Sequence, residues 1–209
     1  MWLIVTLVVM MLVLVLAEYL SVRKGWHAEL SRKFVHIIIG TFAAFWPFFL
    51  SWGQIQVLSL IALVGMLASI KLNFWRSMHS VQRSAHGEIL SVLAVGILAF
   101  ITTQPWIFTA AMLCLAFADG LAALVGLLWG DSNSYKVLGH TRSLAGSLAF
   151  FFTAVVIMVC YAAFSGASYN AVTVLWLPLA ATIAENLAIK GTDNIVVPLL
   201  VALTLTSSL

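Results

Sequence analysis

Charge is what this sequence has least of. Asp, Glu, Lys and Arg supply 8% of its 209 residues, while 63% are hydrophobic. A water-soluble domain carries about a quarter charged residues, because its surface must face water. This shortage, with a mean hydropathy of +1.11, excludes an ordinary soluble enzyme. It also excludes a disordered chain, whose signature is high charge and low hydrophobicity. Cysteine is nearly absent. Cys114 and Cys160 both sit in apolar stretches and read as packing residues, not as a disulfide or a metal site. Met1 to Leu20 lacks the basic start and small-residue cleavage site of a signal peptide, so it reads as a first transmembrane helix. No low-complexity tract and no internal repeat is found.

What fills the chain instead is a succession of apolar runs, at about 2–20, 34–51, 54–70, 88–103, 105–128, 146–165, 171–190 and 194–208. A hydrocarbon core about 30 Å thick takes about 20 residues of helix, so eight spans use roughly 160 residues and leave roughly 50 for loops. The expected fold is all-α, a polytopic transmembrane helix bundle forming a single integral membrane domain over residues 1–209. No separate soluble domain fits. Any chemistry is then built from helix ends, short loops and the bundle interior.

The loops alternate in charge. The first carries Arg23, Lys24, Arg32 and Lys33, the third Lys71, Arg76 and Arg83, the fifth Lys136 and Arg142, and the seventh Lys190. The second, fourth and sixth carry no Lys or Arg. With eight spans all ten basic residues fall on one side; moving a boundary to give seven scatters them. The positive-inside rule then puts both termini outside and the charged loops in the cytoplasm. It also accounts for the net charge of +3 and the pI of about 9.1, which in a soluble protein would suggest nucleic acid and here does not.

Four stretches concentrate the polar side chains. In Glu29-Leu-Ser-Arg32-Lys33-Phe-Val-His36-Ile-Ile-Ile-Gly40, Arg32 and Lys33 lie four and three residues before His36, so each shares a helix face with it, and Glu29 precedes Lys33 by four. Such a cationic cluster at a membrane entrance suits phosphate oxygens; the same charges also serve as snorkelling anchors. In Asp119-Gly120-Leu-Ala-Ala123-Leu-Val-Gly126, the small residues at three-residue spacing form a close-packing face beside an acid. Asp119 lies about nine residues, roughly 13 Å, inside the fifth span. A carboxylate at that depth costs about 2.5 kcal/mol or more unless paired or metal-bound. It reads as a magnesium ligand, against the alternative of a structural acid paired to Lys or Arg.

The third stretch, Asp131 to Ser147, is the most polar in the chain. It carries Lys136, Gly139, His140, Arg142, Ser143 and Gly146, which read as a phosphate-binding loop or simply a solvated one. In the fourth, Glu185-Asn186 is followed by Lys190, Thr192, Asp193, Asn194 and Pro198. Asp193 or Thr192 can cap the last helix, Pro198 should kink it, and Glu185 with Asp193 can complete a metal site with Asp119. His79 and His86 lack paired metal-ligand spacing and read as polar loop residues. Most of the eight tryptophans read as interfacial anchors near span ends.

Taken in order, these stretches resemble the CTP-dependent lipid-alcohol kinases, a family that includes phytol, farnesol and dolichol kinases and the CTP-using diacylglycerol kinase, within a superfamily shared with phosphatidate cytidylyltransferases. Arg32-Lys33-x-x-His36-x-x-x-Gly40 resembles the family's RKxxHxxxG motif. Gly87-Glu88 resembles its GE motif, and Asp119-Gly120-x-Ala122-Ala123-x-x-Gly126 its GDxxAxxxG motif. Arg142-Ser143-x-x-Gly146-Ser147 is similar to KSxxGS, and Glu185 with Asp193-Asn194 and Pro198 to the closing E…DNxxxP. The departures are Ala118 for a usual Gly, Leu127 for a frequent Arg, Arg142 for Lys and Ala145 for a common acid.

The resemblance covers nearly the whole chain after the first helix. It implies an enzyme that moves a phosphoryl group from a nucleoside triphosphate, CTP, to a lipid alcohol drawn from the bilayer, at the cytoplasmic face and with Mg²⁺. Asp119, Asp193 and Glu185 would hold the metal. Arg32, Lys33, Lys136, Arg142, Ser143, Gly120 and Asn194 would bind the nucleotide, and His36 or Asp119 would take the hydroxyl proton. CMP transfer to a lipid phosphate and small-solute transport are the alternatives. Transporters often show internal repeats and polar groups through the whole membrane, and neither is evident here.

Overall fold

The computed structural model describes residues 1–24, 28–72, 85–166 and 171–207. The candidate loop residues Arg76, His79 and Arg83 lie outside that set, as does the side chain of Glu29. Among the described residues there are eight long helices: α1 (Trp2–Lys24), α2 (Ala28–Ala44), α3 (Trp52–Leu72), α4 (Ala85–Ile101), α5 (Pro105–Trp129), α6 (Leu144–Phe164), α7 (Ala171–Leu187) and α8 (Asp193–Ser207). Four contain stretches long and apolar enough to cross a bilayer, namely Trp2–Leu20, Trp52–Leu72, Pro105–Trp129 and Leu144–Phe164. The apolar helices His86–Ile101, Thr173–Leu187 and Asp193–Ser207 are shorter.

α2 departs most from the hydropathy reading. It starts inside the charged stretch and stops at Ala44, where Trp46–Phe48 forms a 3-10 turn containing Pro47. Proline disfavours helical backbone in the residue before it, so the apolar run to residue 51 cannot remain one helix. α8, by contrast, continues through Pro198.

α5 is the central element. Of its apolar window 44% is buried, against 11% for α1 and for α3. Lipid tails are as apolar as leucine, so helices in a membrane associate through close packing more than through burial from water. Two glycines on facing helices provide it: a Cβ on Gly40 would overlap Ala116, and one on Gly120 would overlap Ile37. Gly120 is therefore occupied in helix packing and is not free to touch a ligand. At the end of the bundle away from the charged residues, aromatic rings cluster. Phe48 meets Trp106 at 4.8 Å between centroids, and Trp106 stacks on Phe164 at 5.9 Å. The two cysteines part ways: Cys114 is buried in α5, while Cys160 is exposed on α6, so only the first packs inside.

The fifth loop is not a loop throughout. Ser134–Val137 (β1) pairs antiparallel with His140–Ser143 (β2). The two-residue turn Leu138-Gly139 has φ of 47° and 80°, matching the positive-φ turn that follows strand twist. Ser143 then caps α6, its hydroxyl accepting from the Gly146 N–H at 3.1 Å. This small hairpin is the one β addition to the all-α expectation among the described residues.

Candidate active site

A π turn at Cys114–Ala118 interrupts α5 just before its acid. The Asp119 N–H is directed to the carbonyls of Cys114 and Ala116, passing over Leu115. The Leu115 carbonyl instead accepts from His36 Nε2 at 3.0 Å. Such bulges frequently occur at functional sites. Here the bulge fixes α2 against α5 and brings His36 Nε2 to 3.4 Å from Asp119 Oδ2. One turn earlier on α2, Lys33 donates to the same Oδ2 at 2.8 Å. Lys33 is 7% exposed, so this acid within an apolar helix is compensated by a buried cation.

The other half of the site comes from the hairpin and the α7–α8 turn. Arg142, on β2, donates from Nη1 to Glu185 Oε1 at 2.6 Å and from Nη2 to the Glu185 carbonyl at 2.7 Å. Its Nη2 is also 3.7 Å from Asp193 Oδ2. Tyr135 on β1 and Ser147 on α6 both donate to Asn186 Oδ1, tying the hairpin to α7. The α7–α8 turn needs left-handed backbone at Lys190 (φ 54°) and Gly191 (φ 83°). A Cβ on Gly191 would press on the Gly87 backbone, so the Gly87-Glu88 stretch packs α4 directly onto this turn. The expected cap is only partly realised. Asp193 Oδ1 accepts the Asn194 N–H at 3.0 Å, whereas the Thr192 hydroxyl accepts from Ile189 N–H.

Asp119, Glu185 and Asp193 thus converge from α5, α7 and α8, each offering one oxygen within 4.8 Å of the others. Hard divalent cations take oxygen ligands of this kind. Asn194 Oδ1, beside them, is buried with no hydrogen-bond partner. The donor set fits Mg²⁺ in chemistry. The three acids face a cleft of about 560 Å³ that also has Arg32, Lys33, Ser143 and Asn194 in its walls, within the size range of ligand sites. On the far side of the His36–Asp119 contact lies a second cavity of about 370 Å³, mostly apolar, and Arg32 borders both.

Two expected residues do not reach the cleft. Lys136 is exposed and absent from the wall, although Ser134 and Thr141, on the same face of the hairpin, line it. Gly120 is packed on Ile37. In their place Lys190 and His140 line the cleft. Both stand in the polar stretches read from the sequence, though neither was singled out there as a ligand.

A phytol kinase from Synechocystis sp. is 31% identical over 199 residues, covering 90% of this chain and 82% of the relative. The chain belongs to the phytol kinase family. It is a lipid-alcohol kinase by family, with membrane-type helices to match. No family model matches the chain, and no solved structure does. For a phytol kinase relative, the polar cleft and the apolar cavity meeting at His36 and Asp119 have the chemistry of a site with one water-soluble and one lipid substrate.

Proposed function

We propose that this chain transfers the terminal phosphoryl group of a nucleoside triphosphate, CTP, to an isoprenoid alcohol such as phytol. All of residues 1–209 form one integral membrane domain of eight spans. Both termini face outside and the cleft opens to the cytoplasm, a reading that the one-sided distribution of Lys and Arg supports. The observation that carries the reading is the convergence of three carboxylates from separate helices on one polar cleft, in a chain of this family.

Phosphoryl transfer depends on positioning and charge neutralisation more than on covalent catalysis by the protein. Asp119, Glu185 and Asp193 would hold Mg²⁺, which when bound neutralises triphosphate charge. Arg32, Lys190 and the Ser143 region would receive phosphate oxygens. Lys33 and Arg142 hold the carboxylates in place from behind. The His36 Nε2–H bond to the Leu115 carbonyl leaves Nδ1 as the basic nitrogen of the neutral ring. Nδ1 takes the hydroxyl proton as the alcohol oxygen bonds to the terminal phosphorus. The bond from that phosphorus to its bridging oxygen breaks, and a nucleoside diphosphate leaves.

The test uses purified protein in proteoliposomes with CTP or ATP, Mg²⁺ and a panel of lipid alcohols. Phytyl phosphate and CDP are expected, and chelation of Mg²⁺ should stop the reaction until the ion is restored. Release of pyrophosphate with a lipid-phosphate acceptor would replace the kinase by a cytidylyltransferase. Solute flux without nucleotide would replace it by a transporter.

A further inference from the structure

The apolar cavity between α1, α2, α3, α4 and α5 has its charged side chains at one end only. Arg32, His36, Glu88 and Ser91 stand where those helices approach the cleft, whereas Trp46 and Leu58 line the opposite end. His36 and Ala44, where α2 ends, are eight positions apart, roughly 12 Å at the helical rise, and Trp46 follows in the 3-10 turn. A groove with a polar mouth, an apolar body and a bulky aromatic at its far end matches an amphiphile with one polar end.

We propose that this groove holds the hydrocarbon tail of the acceptor alcohol and that Trp46 and Gly65 set which tails fit. The inference rests on the kinase reading and adds to it a binding site and a rule of selection. The occupant is fixed by continuity. Arg32 borders both cavities, and His36, in the groove wall, lies 3.4 Å from the cleft acid Asp119. A tail lying along α2 with its hydroxyl at His36 therefore presents that oxygen to the phosphoryl site. Moving a tail from lipid to this groove removes little surface from water, so the groove selects by shape and by how well it positions the hydroxyl.

Gly65 lies midway along α3 in the groove wall, and a Cβ built there meets nothing within 4 Å. It packs against no neighbour, unlike Gly40 and Gly120, and leucine there is a better helix former than glycine. Its bareness keeps the groove open. Trp46, 2% exposed, is the floor.

The experiment compares phosphorylation of geraniol, phytol and a polyprenol longer than phytol by wild type, Gly65→Leu and Trp46→Leu in proteoliposomes. Gly65→Leu should lower the phytol-to-geraniol ratio of kcat/KM by on the order of tenfold or more. Trp46→Leu should shift preference toward alcohols longer than phytol. A ratio unchanged in both variants would overturn the proposal. A second readout does not depend on turnover. A diazirine-bearing isoprenoid alcohol should label the α3 segment around Ile61 and Met66, with phytol competing and phospholipid not, and Gly65→Leu should reduce the labelling. Labelling displaced equally by phospholipid, or none, would refute the groove. Labelling without phosphorylation by wild type would leave the groove standing and reject the kinase reading.

Discussion

The cleft and the groove lie on either side of one wall and are built by opposite rules. In the cleft, charged groups are held by partners far away in sequence: Lys33 by Asp119, and Arg142 by Glu185. These contacts fix geometry, and removing either partner strands a buried charge. In the groove, the body is aliphatic or small, and Gly65 leaves open space. The difference shows how one bundle can serve two substrates. A triphosphate needs preset charges, because phosphoryl transfer depends on electrostatic stabilisation already in place. A hydrocarbon tail needs only room of the right length. The cleft should therefore fail abruptly when altered, and the groove gradually.

Removing the fork at Arg142 breaks that contrast most severely. Arg142→Met leaves Glu185, 5% exposed, without its cation. A loss of about 3–5 kcal/mol of stability is expected, read as a lower melting temperature in detergent, while Gly65→Leu should melt close to wild type. Asp119→Asn is the next largest change. It keeps the shape of the carboxylate but removes its charge, and kcat should fall about 10²–10³-fold while labelling of the groove by a photoreactive alcohol persists. Gly120→Val acts on the wall itself. Its added side chain collides with Ile37, and overpacking of this kind costs about 1–3 kcal/mol, so donor and alcohol KM should both rise. The smallest effect separates two lysines. Lys190→Ala should raise donor KM by several-fold, about the worth of one phosphate contact, whereas Lys136→Ala, off the cleft, should change it by less than about twofold.

Much of this was legible in the chain, and the exceptions have physical causes. Eight apolar runs correspond to eight helices among the described residues, four of them with stretches long and apolar enough to cross a bilayer. Asp119 was marked by its cost in an apolar setting, with Glu185 and Asp193 as candidate partners in a metal site, and the three are brought together. The pairing of Lys33 with Asp119 was not readable, because 86 residues separate them and only tertiary packing brings them into contact. The hairpin was missed because its turn, Leu138-Gly139, lacks the usual Asn-Gly or Asp-Gly signal. Gly120 was placed with the ligand-binding residues because one glycine motif serves both close packing and close approach to phosphate. Only the coordinates, with Ile37 against it, distinguish the two. The apolar groove left no local signature, since its lining comes from five helices and each run alone looks like any lipid-facing surface.

The account depends on Asp119 as the acid that the cleft shares with the wall of the groove. Its most direct measurement is transfer of the terminal label of CTP to phytol in proteoliposomes, comparing wild type with Asp119→Asn. Labelled phytyl phosphate from wild type and a loss of about 10²–10³-fold in the variant is the expected result. Equal labelling by both proteins would contradict it.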